Sequence, residues 1–163
     1  MSKQQSSTQT LTSQVLTEQA LSAWVALLRG HAGLIRALNA QLLAEHGLTL
    51  NDYEVLLHLA QAPDHQLRRV DLAERIVLTA SGITRLLDGL ERQGWVKRGE
   101  CCSDRRVTYA VLTEAGEAKL REAAGSHLED VRLHFAGLYS DEELETLAEL
   151  LGRLSGDGGS CSP

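Results

Sequence analysis

From Leu16 to about Glu45 the apolar residues return at steps of mostly three and four: Leu16, Ala20, Trp24, Leu27, Leu28, Leu34, Ile35, Leu38 and Leu42. That is the helical period, so the spacing predicts one long amphipathic helix, ended by Gly47. A second helix follows, with Thr49 placed to cap it, Asp52 at the third position, and Leu48 and Tyr53 as a hydrophobic staple. It runs to about Gln61, and Pro63 and Asp64 make a turn. Val70 to Val77 reads as a short helix with Val70, Ala73, Ile76 and Val77 facing inward. Thr79 then caps a helix from about Ala80 to Gln93 that puts Ile83, Leu86, Leu87 and Leu90 on one face. Ser81, Thr84, Arg85 and Asp88 fall largely on the others, and Gly94 is the stop.

Beyond Gly94 the period drops to about two. Trp95 to Arg98 and Val107 to Leu112 are short strand-like runs joined by the polar loop Gly99 to Arg106, a β-hairpin. Thr113 caps a helix to about Leu138, and Ser140 with Glu143 forms a capping box for a last helix ending near Leu154. The expected order is four helices, a hairpin and two helices, a mainly α (α+β) fold. Two short helices joined by a tight turn and followed directly by a hairpin outline a winged helix-turn-helix.

Composition agrees with this outline: 43% of residues are hydrophobic but only 4% aromatic, which favours helix packed on helix over a β-sandwich. Ser, Thr and Gln crowd the first residues and Gly and Ser the last, so residues 1–14 and 155–163 are expected as disordered tails. No run approaches the roughly 18 apolar residues of a membrane span, and the polar start lacks the apolar core of a signal peptide. A cytoplasmic protein with no membrane partner is expected. Three cysteines, Cys101, Cys102 and Cys161, do not make a secreted disulfide framework, so reduced thiols are expected.

The net charge of −6 argues against a polyanionic partner until it is divided along the chain. Between Arg68 and Arg106 nine Lys or Arg stand against six Asp or Glu; the rest carries seven against sixteen. Positive charge is therefore concentrated in the helix-turn-helix and hairpin, as a phosphate-facing module on an acidic scaffold requires.

A helix about 10 Å across fits the major groove of B-DNA, and small polar residues in its first turns let the backbone approach bases and phosphates. Thr79, Ala80, Ser81 and Gly82 supply that turn, Thr84 follows, and Arg85 reaches a base or a phosphate. In the hairpin loop, Arg105 and Arg106 are placed to enter the electronegative minor groove. Asp104 is expected to hold a neighbouring arginine in a bidentate pair.

Helix-turn-helix, then Gly94-Trp95-Val96, then Asp104-Arg105-Arg106, then Leu112-Thr113-Glu114-Ala115-Gly116: this succession resembles the multiple-antibiotic-resistance regulator (MarR) family over nearly all of Leu16 to Leu154. The wing pattern D-x-R and the pattern L-T-x-x-G are both matched. The resemblance implies a homodimer whose N- and C-terminal helices intertwine in a dimerisation layer above two DNA-reading lobes. Residues 15–47 would be the N-terminal dimerisation helix, 48–112 the winged helix-turn-helix and 113–154 the C-terminal dimerisation helices. Apolar stripes at Leu128, Val131, Phe135, Leu138, Leu144, Leu147, Leu150, Leu151 and Leu154 point independently to a second copy. A sequence-specific regulator of double-stranded DNA follows, a repressor at a palindromic promoter element, released by a small-molecule effector.

Trp24, His31, Asp52, Tyr53 and His58 are candidates for the effector, set against the simpler reading of core packing. Trp24, Asp52 and Arg85 resemble the set of a urate-responsive subgroup, but at too short a Trp-to-Asp spacing to name urate. Cys101 and Cys102 in the wing are redox candidates, set against a pair of solvated thiols. His127, Asp130 and His134 share one helical face, but two ligands about 10 Å apart along an axis rarely share an ion. No metal and no cofactor is expected. Nucleophile elbows, phosphate loops and zinc-protease motifs are missing, which argues against an enzyme. A winged helix used for protein–protein assembly, with Arg85 and Arg106 on acidic partners, is the alternative.

Overall fold

The computed structural model describes residues 16–100 and 108–155. They divide into two compact units between Ala37 and Leu38. The first is the arm of a long helix, α1 (Glu18–His46). On that arm Leu21, Trp24, Leu28 and Ile35 are exposed at steps of three, four and seven, the spacing of a seam that packs on another helix.

The second unit takes the last turns of α1 and continues through α2 (Leu50–Gln61), β1 (Gln66–Arg68), α3 (Arg69–Arg75) and α4 (Ala80–Arg92). It then runs through β2 (Val96–Glu100), β3 (Thr108–Leu112), α5 (Glu114–His134) and α6 (Asp141–Ser155). Short 3₁₀ turns at Pro63–His65 and Ala136–Leu138 join α2 to β1 and α5 to α6. The three strands form an antiparallel sheet in the order β1-β3-β2, with Leu67 opposite Ala110 and Val96 opposite Leu112. Leu42, Leu48, Val55, Leu56, Leu59, Leu72, Leu87 and Leu90 are fully buried in the core of this unit.

Local signals set most boundaries. Gly47 takes a left-handed conformation, φ 65°, which turns Leu48 into the core. Thr49 and Asp52 form the expected capping box, the Thr49 amide donating to Asp52 Oδ2 at 2.8 Å and the Asp52 amide to Thr49 Oγ1 at 3.1 Å. Ser140 and Glu143 do the same for α6.

Three expectations are corrected. The turn after α2 is followed by a strand, β1, too short to show any alternation. Helix α5 stops at His134 instead of near Leu138, because the backbone at Phe135 leaves the helical region and folds Gly137 back on the Arg132 carbonyl. The inward face of α3 is Leu72, fully buried, with Ile76. Val70 is 60% exposed and Val77 90% exposed, so neither belongs to the core.

Val77 illustrates a local conflict. After α3 the Leu78 amide donates to the Ala73 carbonyl at 2.9 Å and the Val77 amide to Glu74 at 3.3 Å; after α4 the Trp95 amide donates to Leu90 and the Gly94 amide to Glu91, both at 3.0 Å. Both helices therefore end in the same reversed pair of bonds, which needs a left-handed residue between. At the second site it is Gly94, φ 75°; at the first it is Val77, φ 57°. A β-branched residue there costs about 1–2 kcal/mol, whereas asparagine adopts the conformation readily. Val77→Asn is expected to raise the urea midpoint, by about 1 kcal/mol of stability; a lower midpoint would mean that the valine side chain packs.

Candidate nucleic-acid interface

Helix α4 is about 20 Å long and strongly two-sided: Ile83, Leu87 and Leu90 are buried while Thr79, Ser81, Thr84 and Arg85 are exposed. Its first turn is built to stay compact. The Gly82 amide donates to Thr79 Oγ1 at 3.1 Å, Ser81 Oγ lies 3.2 Å from the same oxygen, and the Thr84 hydroxyl donates to the Ala80 carbonyl at 2.8 Å. The threonine and serine oxygens are thus drawn in against the backbone. A side chain at Gly82 would meet Thr79 Oγ1 at 3.2 Å, so glycine keeps this turn close to whatever faces it. Arg85 is exposed and has no hydrogen bond or ion pair among the described residues.

The hairpin is carried beside this helix by the sheet. Glu100 pairs with Thr108 at the far end of the strands. Asp104, Arg105, Arg106, Cys101 and Cys102 lie outside the described residues, as does Cys161. At the near end the Thr113 amide donates to the Trp95 carbonyl at 3.1 Å, its hydroxyl donates to the Gly94 carbonyl at 2.7 Å, and the same oxygen caps α5 by accepting from the Gly116 amide at 3.0 Å.

Two other cations of this region are engaged. Arg68 forks onto Asp71 at 2.7 and 2.6 Å, and Arg98 reaches both Glu91 and Asp88. Sequence reasoning missed the Arg98 contacts; the available signal was the pair of carboxylates three apart on α4.

The effector candidates fall in both units. Trp24 and His31 are exposed in the first unit. In the second, Asp52 is committed to the helix cap and Tyr53 is buried, its ring 4.4 Å from that of His127. His58 is half-buried and acts on Glu54, whose carboxyl is pushed up by burial and pulled back by that imidazole. Of the metal reading, His127 and Asp130 are buried but His134 is exposed. Among the described residues no three His, Cys, Asp or Glu side chains could hold an ion.

Burial pushes the His127 imidazole below its usual 6.5, against a smaller upward pull from Asp130, and Nδ1 has no hydrogen-bond partner among the described residues. Below about pH 6.5 the unfolded chain therefore binds a proton that the folded one resists. The corresponding stability is complete above that pH and is lost as the pH falls through the folded value. In His127→Phe, which keeps a ring against Tyr53, the fall in urea midpoint between about pH 7 and 5 should be shallower than in the wild type. An unchanged fall would assign the acid sensitivity to other groups.

A polar-fronted helix after a tight turn, with a three-stranded sheet beside it, defines a winged helix-turn-helix, the fold of a DNA-binding transcriptional regulator. Comparison with known proteins agrees. The MarR family model matches residues 46–107. The transcriptional repressor YetL of Bacillus subtilis is 36% identical over 111 residues, 68% of this chain and 66% of YetL. The crystal structure of Sco3205, a MarR family regulator from Streptomyces coelicolor in complex with DNA, superposes with a TM-score of 0.82 at 31% identity, covering 88% of this chain and 89% of that one. CouR from Rhodococcus jostii, bound to p-coumaroyl-CoA, gives 0.69 at 27%, covering 84% and 95%. The chain belongs to the MarR family of transcriptional regulators. It is not an enzyme. Among the described residues no helix is long and apolar enough to cross a membrane.

Proposed function

We propose that this regulator is a cytoplasmic homodimeric repressor that occupies a two-fold promoter element and leaves it when a small molecule binds. The observation that carries the reading is the outer side of α4: a compact first turn of Thr79, Ser81, Gly82 and Thr84, with the guanidinium of Arg85, unengaged among the described residues, one turn on. In the major groove that turn faces phosphates and base edges. Asp104, Arg105 and Arg106, which lie between β2 and β3 in sequence, serve the adjoining minor groove.

A dimer is supported by the side chains that one copy leaves in water. Leu128, Leu133, Leu138, Leu150, Leu151 and Leu154 are exposed in the second unit, and Leu21, Trp24 and Leu28 in the first. Apolar surface gains about 25 cal/mol per Å² when covered, and two-fold symmetry covers it with the same patch of a second chain. Repression is supported by the likeness to the repressor YetL, and an effector by the likeness to ligand-bound CouR. The effector works by favouring one spacing of the two reading lobes over another, with Tyr53, His58, Trp24, His31 and Asp52 as its candidate contacts and Cys101 and Cys102 as candidate redox positions.

Selection from random duplex DNA tests this. It should enrich a symmetric element whose half-sites lie about 10 base pairs apart, bound by a species of dimer mass in sedimentation. A monomer, or enrichment of no two-fold motif, overturns the proposal.

A further inference from the structure

The two carboxylates on the later turns of α4 both meet one cation in the strand that leads into the wing. Arg98 Nε donates to Glu91 Oε2 at 2.9 Å, with Oε1 at 3.0 Å, and Nη2 donates to Asp88 Oδ1 at 2.8 Å. The partners are seven and ten residues away in sequence, on the other side of the Gly94 turn, so the fork joins two elements instead of decorating one. Arg98 sits opposite Ala110 in the sheet, which places the brace in the part of β2 that sets the direction of the hairpin.

A guanidinium is a rigid planar fork, and this one commits Nε and one Nη2 proton, two of its five donors, to carboxylates on the neighbouring helix. That separates Arg98 from Arg85, which has no partner among the described residues. Such exposed pairs add little to folding stability. Their effect belongs in binding, where two reading elements must meet the duplex in register.

We propose that Arg98 is a positioning residue for DNA binding, holding the wing strand at a fixed angle to α4 through Asp88 and Glu91 and not contacting phosphate itself. This rests on α4 and the wing being the DNA-reading surface.

Three proteins decide it, titrated against the element that the wild type selects at several salt concentrations: wild type, Asp88→Asn with Glu91→Gln, and both with Arg98→Gln. The carboxylate double variant should bind about tenfold more weakly, although it removes two negative charges from the helix. The triple variant should be no weaker than the double by more than about twofold, because the brace is already gone, and should keep the wild-type dependence on salt. Tighter binding by the double variant, or a log-log salt slope lower by about two in the triple, one for each protomer, would overturn the proposal, the latter by making Arg98 a phosphate ligand. Glu91→Gln alone gives the same directions if the triple variant does not fold. Failure of the wild type to bind any duplex would instead fall on the underlying DNA reading.

Discussion

Replacing Gly116 by alanine is expected to cost about 3–5 kcal/mol of stability, enough to lower the thermal midpoint by roughly 10 °C. A Cβ at this position would run into the Trp95 carbonyl oxygen and come within 2.8 Å of Leu112 Cδ1. The carbonyl cannot step aside cheaply, because it accepts the Thr113 amide at 3.1 Å with the Thr113 hydroxyl at 3.0 Å. The first turn of α5 is thus pressed backbone to backbone against the residue that opens the wing. Gly125 of the same helix is the control, since nothing lies within 4 Å of the Cβ it lacks. There alanine should stabilise by about 1 kcal/mol, the ordinary helix-propensity gain. Thermal unfolding followed by circular dichroism separates the two, and equal effects at both positions would contradict the clash.

The same contact shows what a sequence can and cannot disclose. Leu112-Thr113-Glu114-Ala115-Gly116 is legible as a family pattern and Thr113 as a cap, because a cap acts within three residues. The need for glycine arises from Trp95, far back in the chain, and has no local trace. The other caps at Thr49, Thr79 and Ser140 and the stops at Gly47 and Gly94 were legible for the same local reason. What escaped depends on long-range packing. Strand β1 exists only because Leu67 pairs with Ala110. Helix α3 is seven residues long, so its period could not tell that Leu72 and not Val70 meets the core. The reading turn of α4 was likewise legible, being a run of small polar residues after a cap. That Arg98 turns to Asp88 and Glu91 of α4 depends on how the Gly94 turn sets the strand against the helix.

Arg85 carries the largest expected effect on function. Among the cations of the reading region Arg68 is held by Asp71 and Arg98 by Asp88 and Glu91, and Arg92 donates from Nε to the Asp88 carbonyl of its own helix at 3.2 Å. Arg85, one turn after the compact start of α4, is exposed and has none of these ties. On the proposed reading it addresses a base edge with both arms of its fork, a contact that contributes about 1–3 kcal/mol of discrimination. A two-fold dimer makes it twice, so Arg85→Ala should weaken binding to the selected element by at least about thirtyfold and relax the preference at one position in each half-site. Arg85→Lys keeps the charge but loses the planar fork, and should recover binding to unrelated duplex without recovering the preference. Binding of the selected element by Arg85→Ala with wild-type affinity would remove this residue, and with it the outer side of α4, from the reading surface.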